Sequence, residues 1–412
     1  MSSITCRFCN SSLEDTFVDL GMTPVSNENV KAEDINKAEK FYPLHAYVCT
    51  NCHLVQLGES EQPENLFHGD YAYFSSYSDS WLQHASDYVD MMVERFDLGP
   101  ASHVVELASN DGYLLQYFQR QGIPVLGVEP SENVAREAEQ KGIPTVVKFF
   151  GVDTARELEQ SSTKADLIIG NNVLAHVPAV NDFVGGIKHL LKPGGLVTME
   201  FPHIMRLMER NQFDTIYHEH FSYLSVLAVQ RIFAHHGLQL FDIEELGTHG
   251  GSLRIFAHHA EDETRRTESR VEELLDRERK SGLDSLGAYQ AFQEKVKRTK
   301  RELLSFLIEA KQQDKRIAGY GAPAKGNTLL NYCGIRTDFL DYTVDRSPHK
   351  QGRLLPETRI PIESPDRIFE TKPDYLLILP WNIKDEIMTQ MADIRDWGGQ
   401  FVIPIPSVKV LS

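Results

Sequence analysis

The chain has 412 residues, more than the ~100–200 residues of one ordinary domain, and this length predicts two or three domains. With 41% hydrophobic and 25% charged residues it is typical of a globular protein, and no apolar run approaches the ~20 residues that span a bilayer, so we expect no membrane partner. A net charge of −17 repels phosphate backbones, which excludes nonspecific nucleic-acid binding as the expected function but leaves room for a local basic pocket.

The first predicted module contains two C-x2-C pairs. The start, "MSSITCRFCN", lacks the pattern of a signal peptide, so we expect a cytoplasmic protein without disulfides. Two such pairs complete the tetrahedral sulfur shell that zinc prefers and leave no position for water, which predicts a structural zinc ion. The expected ligands are Cys6, Cys9, Cys49 and Cys52. Free thiols or a redox pair are the alternatives, and His45 or His53 could replace one ligand.

A segment rich in tyrosine and serine, "HGDYAYFSSYSDSW", follows the second pair. One interpretation is a packed linker. The other is a loop laid against a polar ligand, to which Tyr71, Tyr73 and the serines at 75–78 would offer hydroxyl groups.

The central part of the chain alternates predicted strands and helices. From residue 103, "HVVELASNDGYLLQYFQRQG" indicates a buried strand, a turn of small residues and an amphipathic helix, and "IPVLGVEPSENVAREAEQKG" repeats the plan. A further strand lies in "ADLIIGNNVLAHVPA". This order predicts a parallel sheet covered by helices on both faces, with a ligand at the carboxyl ends of the strands.

Acidic residues end the first two of these strands. Glu129, at the end of the second, suits ribose hydroxyl groups. The first turn lacks G-x-G-x-x-G and is therefore less suited to a pyrophosphate, so an adenosine ligand without phosphates fits better. Together with "LLKPGGLVTMEFP", these motifs resemble class I S-adenosylmethionine-dependent methyltransferases. The resemblance implies cofactor contacts from Glu106, Ser109, Asn110, Gly112, Glu129, Asn171 and Asn172. Another doubly wound nucleotide domain is the alternative.

The stretch "FDTIYHEHFSYLS" places four hydrogen-bonding or ionisable side chains in a row. A solvated loop could contain them by chance. A proton-transfer site would require them, because histidine titrates near neutrality and a tyrosine or carboxylate can orient it.

The tail begins with a charged helical connector over residues 262–316 and continues as a second, smaller Rossmann-like unit. Its loop "GYGAPAKGNTLLN" is no P-loop, but a loop that opens a helix can present amide groups to a phosphate. We expect Lys325 and Asn327 to bind a substrate diphosphate there, with strand-to-helix packing as the alternative reason for the glycines.

Over nearly its full length the chain resembles the sugar C-methyltransferases that act on nucleotide-linked 4-keto-6-deoxy sugars. The two cysteine pairs, "VVELASNDGYLL", "NNVLAHV", "YHEHFSYLS", "THGGSLRIF" and "GYGAPAKGNTLLN" carry the resemblance. It implies an α/β protein with a zinc-binding domain at 1–68, a class I methyltransferase domain of Rossmann-like fold at 69–260, and a connector with a Rossmann-like domain at 261–412.

The same resemblance gives roles to the "YHEH" residues. A carbon atom has no lone pair to attack a methyl group, so a proton next to the ketone must first be removed, and the charge passes to oxygen as an enolate. By resemblance His220 is the base, Tyr217 and Glu219 lie close to the sugar, and His176 lies near the enolate oxygen. His218 fills the turn or is a second candidate base.

The predicted function is therefore transfer of a methyl group to carbon three of a nucleotide-diphospho-4-keto-6-deoxy sugar. Methylation of oxygen or of another small molecule is the runner-up. A zinc-ribbon protein that binds nucleic acid or protein is the alternative from another class, which the acidic balance opposes. We expect a monomer, with an oligomer left open.

Overall fold

The structure, a computed structural model, describes residues 4–58, 74–161 and 164–412, so the predicted substrate contacts Tyr71 and Tyr73 lie outside the described residues. The described strands are, in chain order, β1 (Asp15–Thr23), β2 (Val30–Lys31), β3 (Tyr42–Val48), β4 (Val55–Leu57), β5 (Val104–Leu107), β6 (Val125–Val128), β7 (Thr145–Val146), β8 (Ala165–Asn171), β9 (Leu191–Pro202), β10 (Ser222–Tyr223), β11 (Leu238–Leu246), β12 (Ser252–His259), β13 (Ile317–Tyr320), β14 (Thr343–Val344), β15 (Arg353–Leu354), β16 (Ile362–Glu363), β17 (Tyr375–Ile378), β18 (Gln400–Ile403) and β19 (Lys409–Leu411).

The described α-helices fall mainly between the strands of the two larger, mainly parallel sheets. They span Asp79–Phe96, Leu115–Arg120, Glu132–Gln140, Val152–Ser161, Val180–Leu190, Ile204–Glu209, Val226–His235, Ser269–Lys280, Leu286–Gln290, Phe292–Gln312, Ala324–Cys333, Asp366–Thr371 and Lys384–Gln390. Two of them begin at a serine whose hydroxyl accepts a backbone N–H, Ser78 from Trp81 and Ser225 from Ala228. Such caps satisfy donors that the first turn of a helix leaves unpaired. None of the helices in the described part of the chain is long and apolar enough to cross a membrane.

The N-terminal sheet has the order β1-β3-β4-β10 and is antiparallel. Its last strand follows the "YHEH" stretch directly, with Ser222 opposite Gln56 and Tyr223 opposite Val55. The residues after the candidate base are therefore part of the sheet that the cysteine module builds.

The central sheet has the order β11-β12-β9-β8-β5-β6-β7. Consecutive residues alternate between two apolar clusters, since Val105 and Ile168 pack in one and Val104 and Leu167 in the other. Side chains of a strand point alternately to its two faces, so both faces are covered, as the buried runs predicted. The strand order reverses between β5 and β8, where ligands of open α/β sheets bind.

One strand of this sheet departs from the parallel arrangement predicted from the sequence. β12 runs antiparallel to both β9 and β11. The short turn from Gly247 to Gly251 joins β11 to β12, and a connection of this length permits only an antiparallel pair.

The C-terminal sheet has the order β16-β14-β13-β17-β18-β19, parallel except for its last strand. The connector is helical, as predicted, and the rings of Phe292 and Phe17 of the N-terminal sheet stack with centroids 4.7 Å apart. One apolar cluster includes residues from Cys6 to Ile405. The three parts therefore share a core.

Candidate active site and zinc centre

The four predicted zinc ligands converge. Their sulfur atoms lie within 4.8 Å of one another, and they form the metal-ligating group found among the described residues. Two Sγ–Sγ distances, Cys6 to Cys52 and Cys9 to Cys49, are 3.5 Å. A hydrogen bond with Cys52 lowers the pKa of Cys6 to about 4, although burial opposes this. This set of four soft ligands fits a structural zinc ion.

The two histidines considered as substitute ligands lie outside this group. The Nε2 atom of His45 is 2.8 Å from the hydroxyl of Thr16, and its ring stacks on Tyr47 with centroids 4.0 Å apart. His53 has a positive φ of 60° in the second knuckle, and burial lowers its pKa.

The first strand-end loop has a left-handed backbone at three positions. Ala108, Asn110 and Gly112 have φ values of 56°, 49° and 73°. A Cβ atom at Gly112 would lie 3.0 Å from Ile143, so glycine is needed for close packing as well as for its φ. The loop therefore turns its backbone over the end of β5.

Glu129 holds the same loop from the neighbouring strand. Its Oε2 accepts the amide of Asn110 at 3.0 Å and its Oε1 accepts the amide of Ser131 at 2.8 Å. The residue is 4% exposed, and burial raises its pKa. A carboxylate has about four lone-pair sites, so the group could accept a ribose hydroxyl as well.

Polar atoms without hydrogen-bond partners in the described structure collect at the ends of β5 and β8. Among them are Oε2 of Glu106, Oγ of Ser109, both amide atoms of Asn171 and Oδ1 of Asn172. Burial raises the pKa of Glu106 well above its ordinary value. Buried polar groups are normally paired, so these atoms fit a polar ligand at this edge of the sheet, such as the cofactor's amino acid and adenosine parts.

Two further predicted cofactor residues lie within this loop. The hydroxyl of Ser109 is fully buried and packs against Gly127, where a Cβ would lie 2.4 Å from it. The Oδ1 of Asn110 accepts the amide of Ser75 at 2.8 Å, which ties the end of the tyrosine-rich segment to the loop.

His220 has a defined tautomer. Its Nδ1 lies 2.9 Å from the carbonyl oxygen of Thr215, which can only accept, so Nδ1 carries the proton. Nε2 is then the basic atom, and it accepts the hydroxyl of Tyr217 at 2.8 Å. Burial, followed by the charge of His176, lowers the pKa of His220 well below its ordinary value. The ring is therefore neutral at pH 7, as a general base must be.

His176 lies beside this ring, with centroids 4.7 Å apart and the planes at 75°. It ends the short helix Leu174–His176 after β8. Burial lowers its pKa to about 4, although a hydrogen bond to the backbone of Glu219 opposes this. The structure thus brings together the loop after β8 and the "YHEH" stretch.

The other two residues of "YHEH" face the N-terminal domain. The Oε1 of Glu219 accepts the amide of Asn27 at 2.5 Å, and burial raises the pKa of Glu219 to about 7. His218 is 2% exposed and packs edge to face against Tyr42. The side chain of His218 thus occupies the turn and packs against β3.

Lys325 comes from the C-terminal domain. Its Nζ donates to Oδ1 of Asn382 at 2.8 Å and lies 4.8 Å above the centre of the Trp381 ring. Burial lowers its pKa, and its charge is one cause of the lowered pKa values of His220 and His249. The lysine is therefore electrostatically linked to His220 and His249.

Asn327 lies in a domain interface. It is 1% exposed, and its amide donates to the carbonyl of Ser26 at 2.6 Å. The glycines of the same loop pack closely, since a Cβ would lie 2.6 Å from Pro380 at Gly321 and 3.0 Å from Leu379 at Gly326. The close contacts of the two glycines agree with strand-to-helix packing, which the sequence offered as the alternative reason for them.

Several residues at the site were not singled out from the sequence. His249 of "THGG" has a φ of 52° and an edge-to-face contact with Trp81, and burial lowers its pKa to about 4. Asp214 is fully buried and accepts the indole N–H of Trp381 at 2.6 Å, and burial raises its pKa to about 6. The histidine beside two glycines was a usable signal. No sequence signal indicated the pairing of Asp214 with Trp381, because 167 positions separate the two residues.

Three family models match the chain in order. Residues 6–67 match a "zinc binding domain", residues 81–243 a "methyltransferase domain" and residues 247–406 a "C-methyltransferase C-terminal domain". The class I methyltransferase fold, with its binding site for S-adenosylmethionine, and the zinc-binding cysteine cluster therefore agree with the motifs read from the sequence.

Two relatives differ in how much of the chain they match. The C-methyltransferase NovU of Streptomyces niveus is 35% identical over 407 residues, which are 99% of this chain and 96% of the relative. A ubiquinone biosynthesis O-methyltransferase of Agrobacterium fabrum is 29% identical over 115 residues, 25% of this chain and 45% of that protein.

Among solved structures, magnesium protoporphyrin IX methyltransferase of Synechocystis with bound SAH covers 47% of this chain and 90% of its own, with 16% identity and a TM-score of 0.35. The PH0226 protein of Pyrococcus horikoshii covers 45% and 94%, with 17% identity and a TM-score of 0.38. The full-length match, which includes both flanking domains, decides the family. The chain belongs to the S-adenosylmethionine-dependent C-methyltransferases, with NovU as a relative.

Proposed function

We propose that this enzyme methylates carbon three of a nucleotide-diphospho-4-keto-6-deoxy sugar through an enolate, in the formation of a branched deoxy sugar. The observation that carries the proposal is the tautomer of His220, whose Nδ1 is bound to the carbonyl of Thr215 so that Nε2 is basic. A carbon acceptor requires such a base, because the proton on carbon must leave before the carbon can attack.

The proton moves from carbon three to Nε2 of His220, and the electrons of the broken C–H bond pass to the keto oxygen. The hydroxyl of Tyr217 occupies Nε2 at 2.8 Å without substrate, so it must rotate away or relay the proton. The pKa of His220 lies well below its ordinary value, which keeps the base unprotonated at neutral pH.

His176 and Lys325 support the enolate oxygen. Burial lowers the pKa of His176 to about 4, so at pH 7 its ring is neutral and has a single N–H, which must leave the backbone of Glu219 before it can donate to the enolate oxygen. The charge of Lys325 reaches His220, so it would also favour a developing negative charge nearby. We therefore give Lys325 a second role beside the predicted binding of the diphosphate. Glu219, with a pKa of about 7, accepts from Asn27 and would hold a sugar hydroxyl.

The cofactor fits the edge of the central sheet, where Glu106, Asn171 and Asn172 have unpaired polar atoms. Glu129 would hold the ribose. When bound, S-adenosylmethionine supplies an electrophilic methyl group to the nucleophilic carbon. The zinc ion of the N-terminal domain would be structural, because cysteine fills each ligand position.

The proposal is tested by incubating the enzyme and S-adenosylmethionine with a panel of nucleotide-linked keto sugars. We expect a mass increase of one methyl group with one 4-keto-6-deoxy sugar, and NMR correlations that place the new methyl group on a ring carbon. A methyl group on oxygen would contradict the proposal, as would turnover of sugars that lack the ketone.

A further inference from the structure

We infer that Arg7, between the two cysteines of the first zinc knuckle, is a positioning residue that fixes the relative placement of His176 and His220. The claim about geometry rests on contacts of the described residues. Its meaning for catalysis rests on the proposed function.

The guanidinium group of Arg7 bridges two separate parts of the chain. Its Nη1 donates to the carbonyl of Pro178 at 3.3 Å, and its Nη2 donates to the carbonyl of Leu57 at 2.7 Å. Pro178 lies two residues after His176 in the loop that follows β8. One end of the arginine therefore holds the loop of His176.

The other side of the guanidinium group contacts the segment of His220. Its Cζ lies 5.4 Å from the centre of the ring of Phe221, the residue that follows His220. The amide of Leu57, whose carbonyl Arg7 binds, donates to the carbonyl of Phe221 at 3.0 Å. Arg7 thus contacts both histidine segments, directly and through β4.

Gln56 links this bridge to the zinc centre. Its Oε1 accepts the amide of Arg7 at 2.9 Å and Nε of the same residue at 3.3 Å. Its Nε2 donates to the sulfur of Cys6 at 3.2 Å. Gln56 is 1% exposed and pairs with Ser222 of β10 in the sheet. The knuckle, Arg7 and the two histidine segments therefore form one connected set.

Such a link matters because the two rings meet from distant parts of the sequence. Their centroids are 4.7 Å apart, and a misplacement of about 1 Å at reacting groups can lower a rate ~10²-fold. A planar group with five donors in a fixed geometry suits the role better than an ammonium group.

The test compares Arg7→Gln with Arg231→Gln. Arg231 is a matched control, because it donates to the carbonyl of Asn51 at 2.9 Å in the second knuckle rather than to Pro178 or Leu57. We expect Arg7→Gln to retain zinc and cofactor affinity, to lose about 10- to 100-fold in kcat and in solvent-deuterium exchange, and to change KM little. Arg231→Gln should keep all these values.

A second measurement does not depend on substrate. In histidine-labelled protein, the ring NMR signals of His176 and His220 should shift in Arg7→Gln and stay in place in Arg231→Gln. Unshifted signals would overturn the inference even if no substrate is found. If the wild type turns over no keto sugar but the signals shift, the proposed function fails and the positioning claim stands.

If Arg7→Gln fails to fold, Arg7→Lys is the variant that tests the positioning role, because it keeps the charge and loses the two-ended bridge. Reduced exchange and shifted signals with a full zinc content support the positioning role. Normal exchange and unshifted signals overturn it.

Discussion

The ring nitrogens of His220 have different partners, and this difference determines its chemistry. The sequence placed His220 in a proton-transfer motif, but it did not show which atom is basic. That follows from the carbonyl of Thr215, five positions earlier, at 2.9 Å from Nδ1. A turn of the backbone brings it there, and no spacing rule for side chains describes such a contact.

Glu129, which was predicted to bind the ribose, also holds the cofactor loop in the structure. Because it accepts the amides of Asn110 and Ser131, Glu129→Ala removes both the predicted ribose contact and the support of the cofactor loop. We expect S-adenosylmethionine affinity, measured by calorimetry, to fall about 10- to 100-fold, as the loss of hydrogen bonds to a charged group implies.

Glu132→Ala is the control for that experiment. Glu132 is exposed and pairs with Arg136 one turn later on the same helix, so its removal should leave affinity unchanged. Equal affinities in wild type and Glu129→Ala would contradict the ribose assignment.

The raised pKa of Glu219 predicts that the free energy of unfolding depends on pH. Burial raises its pKa from 4.5 to about 7, so the folded state binds the proton more tightly than the unfolded state between these values. The free energy of unfolding therefore falls as pH rises through this window. Glu219→Gln keeps an acceptor for Asn27 without the charge. Relative to wild type it should gain about 1–3 kcal/mol between pH 5 and pH 8, measured by denaturant unfolding.

The exposed Glu132→Gln should produce no such gain. A stability difference between Glu219→Gln and wild type that is equal at both pH values would show that the Glu219 carboxyl group is not perturbed.

At the scale of elements, the alternation of strands and helices was predictable for β5, β6 and β8, because buried strands and amphipathic helices have different periods. The reversed β12 was missed. Its residues form a continuous buried run, which a parallel and an antiparallel strand share, and only the short Gly247–Gly251 turn distinguishes the two. The contribution of β10 to the cysteine domain was also hidden, because a strand of two residues has no pattern.

The zinc centre makes a prediction at this scale. Purified protein should contain about one zinc ion per chain, and Cys49→Ser should lower both zinc content and thermal stability, because metal binding supplies folding free energy. Cys333→Ser is the control, since Cys333 is a buried thiol outside the cluster. Metal analysis and thermal unfolding measure both effects. A zinc-free preparation of normal stability would contradict the zinc assignment.

At the scale of the whole molecule, the three-part organisation was predictable from motifs, whereas the contacts between the parts were not. Asp214 with Trp381, Asn327 with Ser26 and Glu219 with Asn27 join positions far apart in sequence. Each partner alone is an ordinary polar residue. The predicted domain limits of 1–68, 69–260 and 261–412 stay a prediction.

The hydrogen bond between Asp214 and Trp381 is predicted to stabilise the packing of the C-terminal domain. Trp381→Phe removes the N–H that pairs with a fully buried carboxyl group, and we expect a loss of about 1–3 kcal/mol. The pKa of Asp214 is about 6 with this hydrogen bond in place, so above that pH the indole N–H pairs with a charged carboxylate, and the loss should be larger at pH 8 than at pH 5. Thermal unfolding at both pH values measures it.

Trp397→Phe is the control, because the indole N–H of Trp397 donates to the carbonyl of Pro373 within the C-terminal domain, and a carbonyl does not ionise. The same loss at both pH values in Trp381→Phe would contradict the role of the Asp214 charge.

The most direct test of an enolate formed by His220 is solvent-deuterium incorporation into the keto sugar in the absence of S-adenosylmethionine. The wild type should exchange the proton at carbon three. His220→Ala should bind cofactor and sugar normally and lose exchange and turnover by ~10²–10⁴-fold, the usual cost of losing a general base. Tyr217→Phe should lose less. Near-normal exchange in His220→Ala would contradict the account, and His176 would then be the first candidate for the base.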